Sequence, residues 1–158
     1  MPEPIEYRIV RNLQEALKTI TEAGGYHYTV EGTAVKLDPN HEVDALIASG
    51  GPRPFVLLAI GDERWDFFPG LQIRLIIPVA IYWVGDFDPS LDESMLQTYF
   101  RGCADVERAI AIDVSRGGLA VDTRIVKRTL DRSIDGTQVW ALVDTEVWIT
   151  RAYGQPDS

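Results

Sequence analysis

The amino-acid sequence predicts an α+β fold, in which an antiparallel β-sheet carries two helices packed on one face and a long protruding β-hairpin arm. Two segments repeat apolar residues at spacings of three and four, which is typical of amphipathic helices. They alternate with segments of strand character, and the last two of these flank an Asp135-Gly136 turn. Strands joined by short turns pair antiparallel, and the economical way to bury both helix stripes is on one face of that sheet.

The length of 158 residues fits one domain, which we assign to residues 1–153, with residues 154–158 as a flexible C-terminal tail. The longest apolar segment, Leu71–Val84, contains Arg74 and Pro78 and is shorter than the ~20 residues that cross a bilayer. The amino terminus lacks the pattern of a signal peptide, and a single cysteine cannot form an internal disulfide. We therefore expect a cytoplasmic protein without membrane contact.

The composition is acidic, with 24 Asp+Glu against 15 Lys+Arg and a formal net charge of −9. Proteins that wrap nucleic acid need basic residues to replace the counterions of the phosphates. The charge therefore argues against a protein that wraps nucleic acid. It is compatible with DNA that passes the protein without binding to it.

The first half of the chain predicts a helix over Ile5–Ala23, ended by Gly24 and Gly25, because glycine accepts the left-handed conformation of a helix cap. A short strand is predicted at Tyr26–Val30 and a short helix at Val43–Ala48. The apolar stripe of the first helix comprises Ile5, Ile9, Leu13, Leu17 and Ile20.

Two apolar strands follow. Phe55–Ile60 is apolar on both parities, as in a strand covered on both faces. Leu71–Val84 has one continuous apolar face, but a straight strand of this length would measure about 46 Å. We therefore expect Pro78, which cannot donate to a ladder, to mark a bend, a bulge or an edge.

The second helix is predicted to begin at a capping box of Ser90 and Glu93 and to run to about Val114, with Cys103 on its inner stripe. The hairpin then has Leu119–Ser133 as its first arm and Gln138–Tyr153 as its return. On the return strand one face carries Val139, Ala141, Val143, Thr145, Val147 and Ile149, and the other carries Trp140, Leu142, Asp144, Glu146 and Trp148. Along the first arm the apolar residues change from one face of the strand to the other. This indicates either a bulge or a face buried by another subunit.

No residue pattern indicates catalysis. Cys103 lies among core residues, where burial makes a thiol inert. The two histidines, His27 and His41, have no metal-ligand spacing around them. Asp113 precedes a glycine pair, but that pair follows a helix and lacks a Lys-Ser/Thr, so a helix cap and a turn explain it better than a phosphate loop. We therefore predict no enzyme activity, no cofactor and no metal.

Four basic residues of the arm are the clearest candidate site, and they are Arg124, Lys127, Arg128 and Arg132. They could simply protect a solvated edge strand from aggregation. Alternatively, they contact the acidic loops Asp62–Asp66 or Asp86–Glu93 of a neighbouring subunit. Trp140 and Trp148, on the polar parity of the last strand, are further interface candidates, because tryptophan is enriched in interface hot spots. A helix or loop of the same chain covering them is the competing interpretation.

The order of these features resembles the tail terminator, or tail-completion, proteins of long-tailed bacteriophages. The resemblance rests on the first helix ending in Gly24-Gly25-Tyr26, the central strand pair, the second helix ending in Asp113-Val-Ser-Arg-Gly-Gly118, and the terminal strand Trp140–Tyr153. It covers nearly the whole chain as a pattern of elements rather than as a unique motif.

The resemblance implies a homo-oligomeric ring, typically a hexamer, at the head-proximal end of the tail tube. Such a ring stops tube polymerisation, contacts the tail tube protein and the head-neck connector protein, and lets DNA pass through its lumen without specific binding. The expected locations are the virion tail or neck and, during assembly, the host cytoplasm. The resemblance carries over no site residues.

Two other classes remain open. One is a small ligand-binding or regulatory α+β module, with a pocket between the sheet and the second helix. The other is a hydrolase with a carboxylate-bound metal at Asp62, Asp66, Asp86 or Asp88.

Overall fold

The computed structural model describes residues 3–36, 51–68, 72–91, 93–132 and 136–152, together with positions 42, 45 and 47. Its helices are α1 (Ile5–Lys18) and α2 (Ser94–Ala111), with a 3-10 turn at Glu22–Gly24. Its strands are β1 (Gly32–Val35), β2 (Phe55–Ile60), β3 (Arg64–Phe68), β4 (Gln72–Asp86), β5 (Asp122–Arg132) and β6 (Gln138–Ala152). The predicted C-terminal tail, Asp135 of the predicted turn and most of the helix predicted at Val43–Ala48 lie outside the described residues.

The described strands form one sheet in the order β1-β2-β4-β6-β5, and β3 pairs with the far end of β4. β4 and β6 pair antiparallel over their whole lengths, from Gln72 opposite Ala152 to Asp86 opposite Gln138. β5 and β6 form the long hairpin. The predicted α+β class, with two helices on one face of the sheet, is confirmed. The described strands pair antiparallel, as predicted, except that β1 pairs parallel with β2. The sequence patterns did not indicate β1 or β3.

The main core lies between the helices and one face of the sheet. The residues predicted to face one side of the last strand are all buried there, and Thr145 donates its hydroxyl hydrogen bond to the Val79 carbonyl at 2.8 Å. The sheet side of this core includes Leu75, Ile77, Ile81, Trp83, Val139, Ala141 and Val143, and the helix side includes Ile9, Leu13, Leu17, Cys103, Val106 and Ile110. Both predicted helix stripes therefore face the sheet.

The opposite face, called the outer face below, carries a smaller cluster at one end. Ile47, Phe55, Leu57 and Val84 are buried there, and the half-buried Trp140 packs against them. β2 is thus covered on both faces, as its unbroken apolar sequence predicted.

Pro78 interrupts the neighbouring strand rather than its own. β4 runs through Pro78 as a continuous strand of 15 residues, and Pro78 has no strand partner on one side, which is the edge position among the three alternatives expected. β2 and β3 pair with β4 along the same edge, and the break between them, Gly61–Glu63, lies opposite Pro78. Gly61 donates its N–H to the Pro78 carbonyl at 2.8 Å. Because proline has no N–H to offer, the ladder breaks at this position.

The strand predicted at Tyr26–Val30 is absent from this described segment. The N–H groups of His27 and Tyr28 each donate to the Asp105 carboxylate of α2 at 2.9 Å, so a side chain replaces a neighbouring strand. α1 also ends earlier than predicted, at Lys18 rather than Ala23. Gly25, at φ +89°, ends the 3-10 turn that follows.

The predicted capping box is wrong. Ser90 donates from its N–H and its hydroxyl to Asp88 instead, which leaves α2 to begin at Ser94. α2 also ends before Val114, at Ala111. There the buried guanidinium of Arg116 donates to the carbonyl of Ile110 and satisfies one of the free acceptors at the helix end.

The broken parity of the hairpin arm comes from a bulge. The register between β5 and β6 shifts between Ile125 and Lys127, which inserts Val126 as an extra residue. This confirms one of the two interpretations of the arm. Val126 is 59% exposed.

Candidate functional site

The basic residues of the arm lie on an edge strand, because β6 is the only described strand that pairs with β5. Their side chains do not share one surface. The register places Arg124 and Lys127 on the outer face, opposite Glu146 and Asp144. Arg128, beyond the bulge, falls on the helix face.

The partners of the basic residues differ as well. Arg128 forms an ion pair with Glu107 of α2 at 3.1 Å, and Arg124 pairs with Asp122 at 2.7 Å. The side chain of Lys127 makes no ion pair or hydrogen bond within the described part of the chain. The side chain of Arg132 lies outside the described residues. Among the three basic residues whose side chains are described, Lys127 is therefore the cation that is available to another molecule.

Trp148 is held within its own chain by arginines. The guanidinium of Arg124 lies 3.9 Å from the centre of the indole ring, and that of Arg74 lies 4.3 Å from it. Such cation–π contacts stabilise a half-exposed tryptophan on a sheet face. Neither helix covers Trp148, because both pack on the other face of the sheet.

Trp140 belongs to the small outer cluster, and its indole N–H donates to the Gln138 side-chain oxygen at 3.2 Å. It is half-buried by its own chain. Its predicted role at an interface, like that of Trp148, stays a prediction.

The predicted loop Asp62–Asp66 is only partly a loop, because Asp62 and Glu63 lie at the break between β2 and β3 and Asp66 lies on β3. Asp62 and Glu63 are exposed there and make no ion pair or hydrogen bond within the described chain. Asp66 differs, because it pairs with Arg74 at 3.5 Å. This break and β5 lie on opposite sides of the β4–β6 pair.

Two carboxylates of the second acidic loop have partners within the chain, whereas the side chain of Glu93 is exposed and makes no ion pair or hydrogen bond among the described residues. Asp86 forms an ion pair with Arg53 at 2.8 Å. Hydrogen bonds from the Ser90 hydroxyl and N–H hold the pKa of the Asp88 carboxyl below its usual range. Both carboxylates are thus satisfied locally.

A groove of about 570 Å³ crosses the outer face between these two edges. Its floor is made of small residues, including Ala59, Pro78 and Ala80. Lys127 and Val126 lie at the β5 end, and Asp62 and Arg64 lie at the β2–β3 end. The predicted pocket position, between the sheet and α2, is filled instead by Trp83, Cys103 and Val106, all fully buried.

Cys103 is buried in α2, and desolvation raises the pKa of its thiol above the ordinary value. Since the thiolate is the reactive form, we expect Cys103 to react slowly with thiol reagents in the folded protein and rapidly in denaturant. The rate of thiol release with a chromogenic disulfide measures this directly. Equal rates in the two conditions would contradict the placement of Cys103 in the core.

The other candidate chemical groups do not converge. Among the described residues, no group of three or more His, Cys, Asp and Glu side chains is placed to hold a metal ion. His27 is exposed, and His41 lies outside the described residues. The Asp113 carboxylate accepts hydrogen bonds from Ser115 and from the N–H of Gly117, and these lower its pKa. The Asp113–Gly118 segment therefore serves as a turn after α2, as predicted.

Two features of this surface were missed by sequence reasoning, the partner Glu107 on a distant helix and the stacking residue Arg74. Both depend on strand register or on helix placement, and no signal in the sequence marks them. The broken alternation of the arm did indicate the bulge, but only the register places it at Val126.

No protein-family model matches this chain, and no curated protein matches it. Within the described residues, no helix combines the length and the apolar character needed to span a membrane.

Proposed function

We propose that this chain is the subunit of a closed homo-oligomeric ring that acts as a tail terminator of a long-tailed bacteriophage. The ring caps the head-proximal end of the tail tube and stops its polymerisation. It meets the tail tube protein on one side and the head-neck connector protein on the other. The role is structural, so the proposal assigns no catalytic residue, metal or cofactor.

The observation that carries the proposal is the pair of opposite charges at opposite edges of the sheet. Lys127 lies at the β5 edge, and Asp62 and Glu63 lie at the β2–β3 break beyond β4 and β6. A contact between two different edges of identical subunits is heterologous, so the assembly either closes into a ring or grows into a filament. A tube end requires the closed form.

In this proposal DNA moves through the lumen of the ring without binding to its wall. The net charge of −9 supports this part of the proposal, because a wall rich in carboxylates repels phosphates. The resemblance to tail terminators is the ground for expecting six subunits.

The ring is tested by native mass spectrometry and negative-stain microscopy of the purified chain over the widest accessible concentration range. We expect annular particles whose mass is a fixed multiple of the subunit, most simply six. A chain that stays monomeric at the highest concentration, or that forms open filaments, would contradict the proposal.

The outer-face groove supports a second candidate, a small ligand-binding module. Its volume of about 570 Å³ falls in the range of small-molecule sites. A ligand that binds the folded state raises the melting temperature, so a thermal-shift screen of small metabolites tests this candidate. Stabilisation of a protein that forms no ring would favour it over the terminator.

A further inference from the structure

The edge strand β5 has two features that favour a partner. It is 11 residues long, and within the described chain only its inner edge is paired. An edge strand presents main-chain donors and acceptors to any chain that approaches. At the bulge it also exposes the apolar side chain of Val126 beside the unpaired Lys127.

A second copy cannot use the same edge in a simple symmetric pair. Antiparallel pairing of two β5 strands would bring their basic residues, Arg124, Lys127 and Arg128, into one strip. Like charges directly across a strand pair destabilise it. The edge therefore favours an acidic partner surface.

The structure distinguishes between the two acidic loops of the chain. At the β2–β3 break, Asp62 and Glu63 are exposed and unpaired within the described residues. In the other loop, Asp86 is paired with Arg53, and Asp88 accepts two hydrogen bonds from Ser90. Among the described residues of that loop only Glu93 is exposed and unpaired, whereas the β2–β3 break offers two adjacent carboxylates that gain a partner without losing one.

We propose that the subunits join through the β5 bulge, with Val126 and Lys127 of one subunit packing against the Gly61–Glu63 break of the next. This contact rests on the proposed ring and names its interface. The break supplies the acidic charge for Lys127. The groove floor of Ala59 and Pro78 beside it supplies an apolar surface for Val126.

Paired cysteines test the contact, since the only native cysteine is buried. Within one chain, β4 and β6 separate Val126 on β5 from Asp62 in the β2–β3 break, which is roughly 14 Å at sheet spacing. A disulfide needs Cα atoms within about 7 Å, so it cannot form inside one subunit. Oxidation of the Val126→Cys/Asp62→Cys protein should therefore give a ladder of covalent multimers on a denaturing gel.

Three matched variants serve as controls. Neither single variant, Val126→Cys nor Asp62→Cys, should give more than a trace of dimer. The Val126→Cys/Asp88→Cys protein places the second cysteine on the other acidic loop and should give no ladder. A ladder from this control in place of the first pair, or dimers from Val126→Cys alone, would overturn the proposed contact.

Charge reversal provides an independent measurement. Lys127→Glu should raise the concentration needed for half-assembly by about fivefold or more, because an attraction becomes a repulsion. Adding Asp62→Lys and Glu63→Lys to it should restore assembly, whereas Arg101→Glu on the exposed side of α2 should change little. Rings without a ladder and without an effect of Lys127→Glu would refute this contact and leave the terminator proposal standing. Absence of rings from the unmodified protein would refute the terminator itself.

Discussion

Replacing Asp105 by alanine should destabilise the folded protein by about 3 kcal/mol, the largest single effect we expect. The Asp105 carboxylate is 2% exposed and accepts hydrogen bonds from the N–H groups of His27 and Tyr28. A hydrogen bond to a charged group contributes about 1.5–3 kcal/mol, and here two are lost together. The midpoint of urea unfolding, at constant slope, measures the change.

Two variants calibrate this result. Asp105→Asn keeps one acceptor oxygen, so it should lower the free energy of unfolding by about half as much as Asp105→Ala does. Gln97→Ala truncates an exposed side chain on the same helix and should stay within about 0.5 kcal/mol of the parent. If Asp105→Ala unfolds at the same urea concentration as Gln97→Ala, the segment after α1 is not held by this carboxylate.

Gly102→Ala should destabilise the protein by about 2 kcal/mol, although alanine normally stabilises a helix relative to glycine by about 1 kcal/mol. A Cβ on Gly102 would lie 2.6 Å from Cε3 of Trp83, closer than real Cβ atoms approach. The ring cannot move aside freely. It is fully buried, and a Cβ built on Gly85 would lie 2.3 Å from its other end.

A double-mutant cycle separates this clash from other causes. In a Trp83→Leu background the smaller side chain leaves room, so adding Gly102→Ala should cost much less than it does alone. Ala104→Gly, at an exposed position of α2, reports the ordinary effect of glycine in this helix. If Gly102→Ala lowers the free energy of unfolding equally with and without Trp83, the indole ring is not the cause of the destabilisation.

The elements that sequence reasoning predicted well are those whose burial pattern is local. The alternation from Val139 to Ile149 identified the buried face of β6, and the stripe of α1 identified its inner side. Both patterns follow from the geometry of a strand or a helix alone. The broken parity of β5 likewise indicated the bulge, because an extra residue reverses the alternation.

The errors arose where distant residues supply the hydrogen bonds. The segment Tyr26–Val30 alternates as a strand would, yet Asp105, 77 positions from Tyr28, satisfies its backbone. Ser90 and Glu93 have the spacing of a capping box. Ser90 instead donates its N–H to the Asp88 carboxylate, and the capping box does not form. At the candidate interface, composition located the basic strip, whereas only the register and the helix positions show that Arg124 and Arg128 are engaged and Lys127 is not.

The position of β6 in the sheet has a consequence for biosynthesis. β6 follows every other described strand in the chain but lies between β4 and β5 in the sheet, with contacts that span 66 residues. A nascent chain that has not yet released β6 from the ribosome leaves β4 without its longest neighbour and β5 without any described partner. High contact order of this kind delays folding until late in translation. The β5 edge therefore becomes a defined surface only after β6 has been synthesised, and the contact proposed for this edge is restricted to finished chains.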